Sequence, residues 1–259
     1  MGGKDGTVRS VTSASSSMKL LCLALLALGL TAHADDLLPT LMTVRGKPLL
    51  EQSFEKPLPP FDGKSKGFAS GFKGWRYNAS ERGGHWEVKD GCFTGAENPA
   101  VHHPATASYG FDFKDAVIQC EVRMNDVPLD GRKNRYINVR TTDEKDYVCT
   151  VILSEGAFRI QKDDNDHDGP DKAVPLGAKK MPLKLNEWHK VLFEIKGDEM
   201  VGTVDGQSLT GSHSLITSAK HSVMFVMGVE GSVRNFKAWE ALPNPEWEKN
   251  KAKLMAAAK

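Results

Sequence analysis

Cysteine is scarce in this chain, four in 259 residues, and the spacings resemble no zinc site. Long apolar runs are missing too. The longest, Leu20–Leu30, spans 11 residues, whereas a helix across a bilayer needs about 20, so no transmembrane anchor is expected. Neither sign of charge prevails, with 34 Lys and Arg against 33 Asp and Glu. A nucleic-acid partner usually leaves a strongly basic footprint; this balance argues against one, and lends no support to a polyanion or an anionic membrane surface. No repeat of solenoid or propeller type is present, and no long helical period separates the apolar runs. What remains, 40% hydrophobic and 26% charged, is an ordinary globular composition that can bury a core.

The N-terminal residues carry the clearest local signal. Met18-Lys19 opens a basic region, Leu20–Leu30 is apolar, and Ala32-His33-Ala34 is a small-x-small cleavage site before Asp35-Asp36. We read 1–34 as a cleavable signal peptide, with the polar, Ser-rich 1–17 as an extension from an upstream start. The remainder is then expected to be exported: periplasmic, secreted or on the cell surface. Without Lys4, Arg9, Lys19 and Asp5 it holds 31 basic and 32 acidic residues. Cys22 leaves with the leader, so Cys92, Cys120 and Cys149 remain. Three permit a Cys120–Cys149 disulfide with one thiol left over, or three small buried hydrophobes on strands.

Residues 35–48 show no periodicity and read as an N-terminal lead. Leu49–Phe54 is a candidate first strand, and Lys56–Gly74, rich in Pro, Gly and Lys, a long loop. His85–Lys89, Asp90-Gly91 and Cys92–Gly95 form a hairpin pattern with an Asp-Gly turn. Ala116–Met124 alternates, placing Ile118, Cys120, Val122 and Met124 on one face and Gln119, Glu121 and Arg123 on the other. Arg135–Thr141 does the same, with Ile137 and Val139 inward. Further strands are read at Tyr147–Leu153, Ala157–Lys162, Trp188–Lys196, Met200–Val204, Val223–Val229 and Ser232–Glu240. Short strands with Gly- or Asp-marked turns predict an all-β fold, an antiparallel sandwich over 49–241. A C-terminal tail, 242–259, holds one helical candidate, Pro245–Ala257. Trp75, Trp86, Trp188 and Trp239 are expected in the core.

Asn186-Glu187-Trp188-His189-Lys190-Val191, then Gly197-Asp198, then Val204-Asp205-Gly206 resembles the WH-x-V … V-DG strand-turn-strand of concanavalin A-like lectin/glucanase domains. Gly74-Trp75 with His85–Gly91 resembles the opening hairpin of that superfamily, and Val233–Phe236 its closing strand. Within it the chain is most similar to the 3-keto-disaccharide hydrolase domain, over residues 49–241. The resemblance implies a jelly roll. It also implies site positions: Glu121 and Arg123 on one strand, Asn134 and Arg140 on the next, where Arg135-Tyr136 replaces the family's Ser-Gly. Tyr147 matches the family's G-Y-E-x-Q element, which here lacks both the Glu and the Gln. The glucanase acids have one local counterpart, Glu144-Lys145-Asp146-Tyr147-Val148, with Val in the place of the last acid.

If the two alternating strands are neighbours, Gln119, Glu121, Arg123, Tyr136, Asn138 and Arg140 make the floor of a polar cleft. Such groups suit the hydroxyls of a carbohydrate; an ordinary solvated face with an ion pair such as Glu121–Arg140 is the alternative. Substrate contacts are assigned to Gln119, Arg123, Asn134, Tyr136, Asn138 and Tyr147, with Glu121 and Arg140 as catalytic candidates. Asp163–Gly169 contains D-x-D-x-D-G, so Asp164, Asp166 and Asp168 are candidate calcium ligands, against an acidic solvated loop. His102-His103 reads as a surface loop without a third metal ligand. The leading functional expectation is glycan binding on the concave sheet face. Hydrolysis of 3-keto-disaccharide-type glycosides and a structural, cell-surface interaction role are the alternatives.

Overall fold

Successive side chains of a strand point to opposite faces, so an alternating stretch can bury one set and wet the other. The computed structural model shows this at 116–124. Ala116, Ile118, Cys120, Val122 and Met124 enter the core, and Gln119, Glu121 and Arg123 stay half-buried outside it. The structure describes residues 1–3, 37–58, 70–77, 84–164, 169–170 and 172–257. All but residues 1–3 of the signal peptide read at 1–34, and the calcium candidates Asp166 and Asp168, lie outside the described residues. The chain divides into two units, Met1–Leu38 and Pro39–Lys259; the architecture below is that of the second.

Its strands are β1 (Thr43–Gln52), β2 (Gly74–Tyr77), β3 (His85–Lys89), β4 (Cys92–Ala96), β5 (Ala105–Phe113), β6 (Ala116–Met124), β7 (Tyr136–Thr142) and β8 (Tyr147–Ser154). There follow β9 (Ala157–Lys162), β10 (Val174–Lys180), β11 (His189–Lys196), β12 (Glu199–Val204), β13 (Gln207–Ser212), β14 (Lys220–Gly228) and β15 (Glu230–Pro243). One α-helix, α1 (Trp247–Ala257), closes the described chain. Sheet I runs β13-β12-β11-β6-β15-β4-β3, with β1 also on β15; sheet II runs β10-β9-β8-β7-β14-β5-β2. The fold is an antiparallel β-sandwich of jelly-roll type with a short C-terminal helix.

Between the sheets lies one core, centred on aromatic side chains. Phe93 stacks on Phe54 and meets Trp75 and Trp86 edge-on or tilted, while Phe225 packs against Phe236. Burying a side chain of this size is worth roughly 1.5–3 kcal/mol, so the cluster is a main source of stability. The hairpin turns follow their chemistry. Asp90 and Gly91 have φ of 53° and 70°, and Asp205 and Gly206 have 46° and 77°, the left-handed pair that a two-residue turn between twisted strands requires.

Two sequence expectations change. β1 starts at Thr43, inside the segment read as a structureless lead. Its register on β15 slips twice, between Arg45 and Pro48 and between Pro48 and Leu50, and such irregularity erases the two-residue period while giving Pro48 a place to sit. Trp75 and Trp86 are buried as expected, but Trp188 and Trp239 are only half-buried on the surface. There arginines cover them: Arg123 and Arg234 on Trp188, Arg45 on Trp239.

Candidate functional site: a polar cleft on sheet II

The six polar residues read as one floor divide between the two sheets. β6 pairs with β11 and β15, whereas β7 pairs with β8 and β14. Gln119, Glu121 and Arg123 therefore face outward from sheet I, and Tyr136, Asn138 and Arg140 from sheet II. The expected Glu121–Arg140 ion pair does not form. Consecutive strands usually pair; here residues 125–135 carry the chain from one sheet to the other. Glu121 takes two hydrogen bonds from Arg234, Nε at 2.8 Å and Nη2 at 2.6 Å, and one from Asn235 Nδ2 at 3.0 Å. Gln119 Oε1 accepts from Arg45, and Arg123 donates to Asn125 Oδ1.

Sheet II does bring four of the sequence candidates together. Asn134, Tyr136, Asn138 and Arg140 line a cleft of about 810 Å³. Strand register builds its floor as two rows across three strands: Asn138, Ile152 and Arg159 in one, Arg140, Thr150 and Gln161 in the next. Arg140 Nε donates to Asp163 Oδ2 at 3.1 Å and to Thr150 Oγ1 at 3.0 Å. Thr150 Oγ1 also donates to Asp163 Oδ2, and Gln161 Nε2 to Oδ1 at 2.6 Å. The buried Asp163 carboxylate is thus fully held, and Tyr147 lies with its ring 4.2 Å from the Arg140 guanidinium.

The polar groups beside that network are less engaged. Asn138 is buried, 6% exposed, and its Oδ1 has no hydrogen-bond partner among the described residues. Arg159 is exposed and forms no ion pair among the described residues. Arg135 is taken up by Glu155 at 3.2 Å and by the Val127 carbonyl. Burial raises the Tyr136 hydroxyl above its ordinary range, and the Glu97 carboxylate adds to this against the opposing pull of Arg140, so it stays protonated and able to donate. Such a floor offers one amide, one guanidinium, one phenol and an apolar Ile152 patch. It can take up a neutral, hydroxyl-rich ligand without leaving charge uncompensated.

Sequence reasoning missed Thr150, Ile152, Arg159, Gln161 and Asp163. The first four are alternate positions of strands it did identify, so projecting the outward set of 147–153 and 157–162 finds them. Among the described residues no cluster of three His, Cys, Asp or Glu could hold a metal ion. Asp164, the one calcium candidate described, pairs with Lys162 and accepts from the Lys172 amide. His102 and His103 sit in an exposed loop. Cys92, Cys120 and Cys149 are buried free thiols, and burial pushes the Cys149 thiol up to about 11. The expected alternative of a Cys120–Cys149 bridge is thereby corrected. Val148, which replaces an acid of the glucanase pattern, points into the core.

The WH-x-V … V-DG motif has a structural explanation. His189 is buried, with Nδ1 2.7 Å from Asp205 Oδ2 and Nε2 3.0 Å from the Lys184 carbonyl, and Asp205 Oδ1 accepts the Lys190 amide. The pair ties the start of β11 to the β12–β13 turn. Its hydrogen bond to Asp205 raises the His189 pKa, against burial and with help from the Lys184 carbonyl. A raised folded value gives stability that is complete below the ordinary histidine pKa of about 6.5 and is lost as pH rises through the raised value. Thermal unfolding scans from about pH 5 to about pH 9 should show a loss of about 1 kcal/mol through that window. Asp205→Asn should abolish this slope; parallel curves for the two proteins would show that His189 carries no charge.

No family model matches the chain, and no curated protein matches it. Solved structures do. The carbohydrate binding module CBM66 from Bacillus subtilis is 14% identical, with a TM-score of 0.52 over 67% of this chain and 99% of that one. SCLam, a non-specific endo-β-1,3(4)-glucanase from family GH16, is 10% identical, with a TM-score of 0.51 over 78% and 94%. A LamA variant from Z. galactanivorans, solved with laminaritriose and laminaritetraose, is 8% identical, with a TM-score of 0.51 over 76% and 100%. Likeness at this identity shows the class of fold alone, an antiparallel β-sandwich of jelly-roll type. Among the described residues no helix is long and apolar enough to cross a membrane.

Proposed function

We propose that this is an exported carbohydrate-interacting domain that binds a glycan in the sheet II cleft. The observation that carries the reading is the cleft floor itself. A buried amide oxygen without a partner costs about 1–3 kcal/mol, and among the described residues Asn138 Oδ1 is in that state, next to an Arg159 that forms no ion pair with them. Turning the Asn138 amide outward lets a sugar hydroxyl satisfy it. Arg159 supplies directional donors, and Ile152 and Tyr136 supply surfaces for the C–H face of a pyranose ring. The solved structures that share the fold include a carbohydrate binding module and glycanases, which supports a sugar as the ligand. Turnover is not part of the reading. Hydrolysis of a 3-keto-disaccharide was expected to use Glu121 beside Arg140, and these face outward from opposite sheets, each already bound to another partner.

The purified protein should bind one or more members of a glycan array. Arg159→Ala and Asn138→Leu should each weaken that binding about tenfold or more, the equivalent of one lost hydrogen bond to a charged or buried group. Arg234→Ala, on sheet I, should leave it unchanged. Binding that survives both cleft variants and disappears in Arg234→Ala would move the site to sheet I; a blank array would remove the carbohydrate reading.

A further inference from the structure

Beyond Tyr136 the cleft does not end. A second cavity of about 530 Å³ lies on its far side, and Asn134 and Tyr136 line both. Glu97, His102 and Arg132 are on the second cavity's walls. Tyr136 is therefore the shared wall of two spaces, and its position depends on a residue across the sheet. Gly228 of β14 is its partner in register. A Cβ at position 228 would lie 2.3 Å from Tyr136 Cε1 and 2.5 Å from Cδ1, far inside contact distance, so the ring rests directly on glycine backbone. Gly228 has no unusual φ to explain its identity; the room it leaves for the ring does.

The next residue adds a second observation. Val229 turns the chain from β14 in sheet II to β15 in sheet I, is fully buried, and has a φ of 76°. A β-branched residue in the left-handed region is strained, by about 1–3 kcal/mol, and persists only where its surroundings over-determine it. Here the determinant is Glu97: its amide donates to the Val229 carbonyl at 2.8 Å, and its Oε2 accepts the Val229 amide at 3.1 Å. Arg132 then fixes the opposite wall. Its buried guanidinium donates to the carbonyls of Glu97, Pro128 and Leu129. Strained backbone, a reciprocal side-chain clamp and a saturated arginine make the second cavity a built one.

We propose, resting on the sheet II reading, that the site is elongated: it takes a linear oligosaccharide lying across the Tyr136 ring. One sugar sits on the Asn138–Arg159 floor and the next beside Glu97 and His102. Gly228 is a positioning residue, since its lack of a side chain seats the ring at the height that both sugars share. A chain crossing Tyr136 gains a ring–sugar contact and a second set of polar partners that a single sugar cannot reach.

The test is a chain-length series from monosaccharide to hexasaccharide in gluco-, manno-, xylo-, galacto- and fructo-oligosaccharides, titrated calorimetrically against the wild type, Gly228→Ala and Tyr136→Ala. The wild type should bind longer chains about tenfold more tightly than the monosaccharide, the size of an added ring contact. Tyr136→Ala should erase that gain, so that affinity no longer rises with chain length. Gly228→Ala, if it retains the wild-type unfolding transition, should do the same; a merely structural defect would lower affinity by the same factor at every length and keep the gain. Affinity independent of length, or a length gain that survives Tyr136→Ala, overturns the elongated site and leaves the single cleft standing. No binding by any sugar in the series overturns both.

Discussion

Replacing Lys220 with methionine should lower the free energy of unfolding by about 3–5 kcal/mol, although the site is remote from the cleft. Lys220 is fully buried, and its ammonium donates to three main-chain carbonyls: Lys114 at 2.9 Å, Ile216 at 2.6 Å and Ser218 at 2.8 Å. Burial lowers its pKa, opposed by negative charge at Asp115 and Asp143. Methionine keeps most of the volume but leaves three carbonyls without the donor they were folded around. Those carbonyls come from the turn after β5 and from the short 3-10 segment Ser214–Thr217 with the residue that caps it. The ammonium thus joins two loops to the start of β14. Chemical denaturation gives the measurement, with the slope unchanged and the midpoint shifted. A loss under about 1 kcal/mol would mean that water replaces the ammonium and that the cage is not closed.

Glu194→Ala should cost a similar amount, about 3–5 kcal/mol, for the opposite reason. This carboxylate, fully buried on β11, collects four donors. Oε1 accepts the Leu41 amide at 2.9 Å; Oε2 accepts the Met42 amide at 2.9 Å, the Thr43 amide at 2.8 Å and the Thr43 hydroxyl at 2.7 Å. Burial raises its pKa despite all four, so the ionised form is expensive to bury and the donors offset that cost. The anchored segment matters to the C-terminus as well. The Leu41 carbonyl accepts from Asn244 and Asn250, and Met42 packs against Trp247 of α1 and Val201. Hydrogen exchange should therefore show lost protection at residues 41–43 and in α1 together. Glu194→Gln should cost roughly half as much, because one amide oxygen still serves the Oε2 donors while its NH₂ confronts the Leu41 amide. Equal stability of the alanine variant and the wild type would contradict this anchoring role.

Much of the fold was legible because burial writes itself into strands at a period of two. β6, β7, β8 and β11 show it plainly, and Asp90-Gly91 and Asp205-Gly206 mark hairpin turns by chemistry alone. β5 was not read because its first core positions are the small Ala105 and Ala107 and Gly110 interrupts the remainder, although Tyr109, Phe111 and Phe113 also pack on the core. β10 carries Pro175 and Gly177 with a register slip between them, as edge strands can. Lys220 interrupts the hydrophobic signal at the start of β14, yet it is as buried as the apolar residues that follow.

The candidate site was half legible, and the reason is geometric. Alternation reports which face of a strand is wet; it does not report which sheet the strand belongs to. In a sandwich both outer faces carry the same pattern, so Glu121 and Arg140 looked equivalent although the whole core separates their sheets. Asn134, Tyr136, Asn138 and Arg140 could be found together because one strand and its lead-in carry them. The contributions of Gly228, Val229 and Glu97 depend on backbone angle and cross-strand register, which a single sequence does not display.

The central claim, that sheet II carries the sugar site, is tested most directly by following backbone amide shifts of the isotopically labelled protein as a glycan that binds is titrated in. Perturbations should gather on β7, β8 and β9 around Asn138, Ile152 and Arg159, and leave β6 and the adjoining part of β15 undisturbed. Shifts concentrated at Glu121, Arg123 and Arg234, with the sheet II amides still, would contradict it.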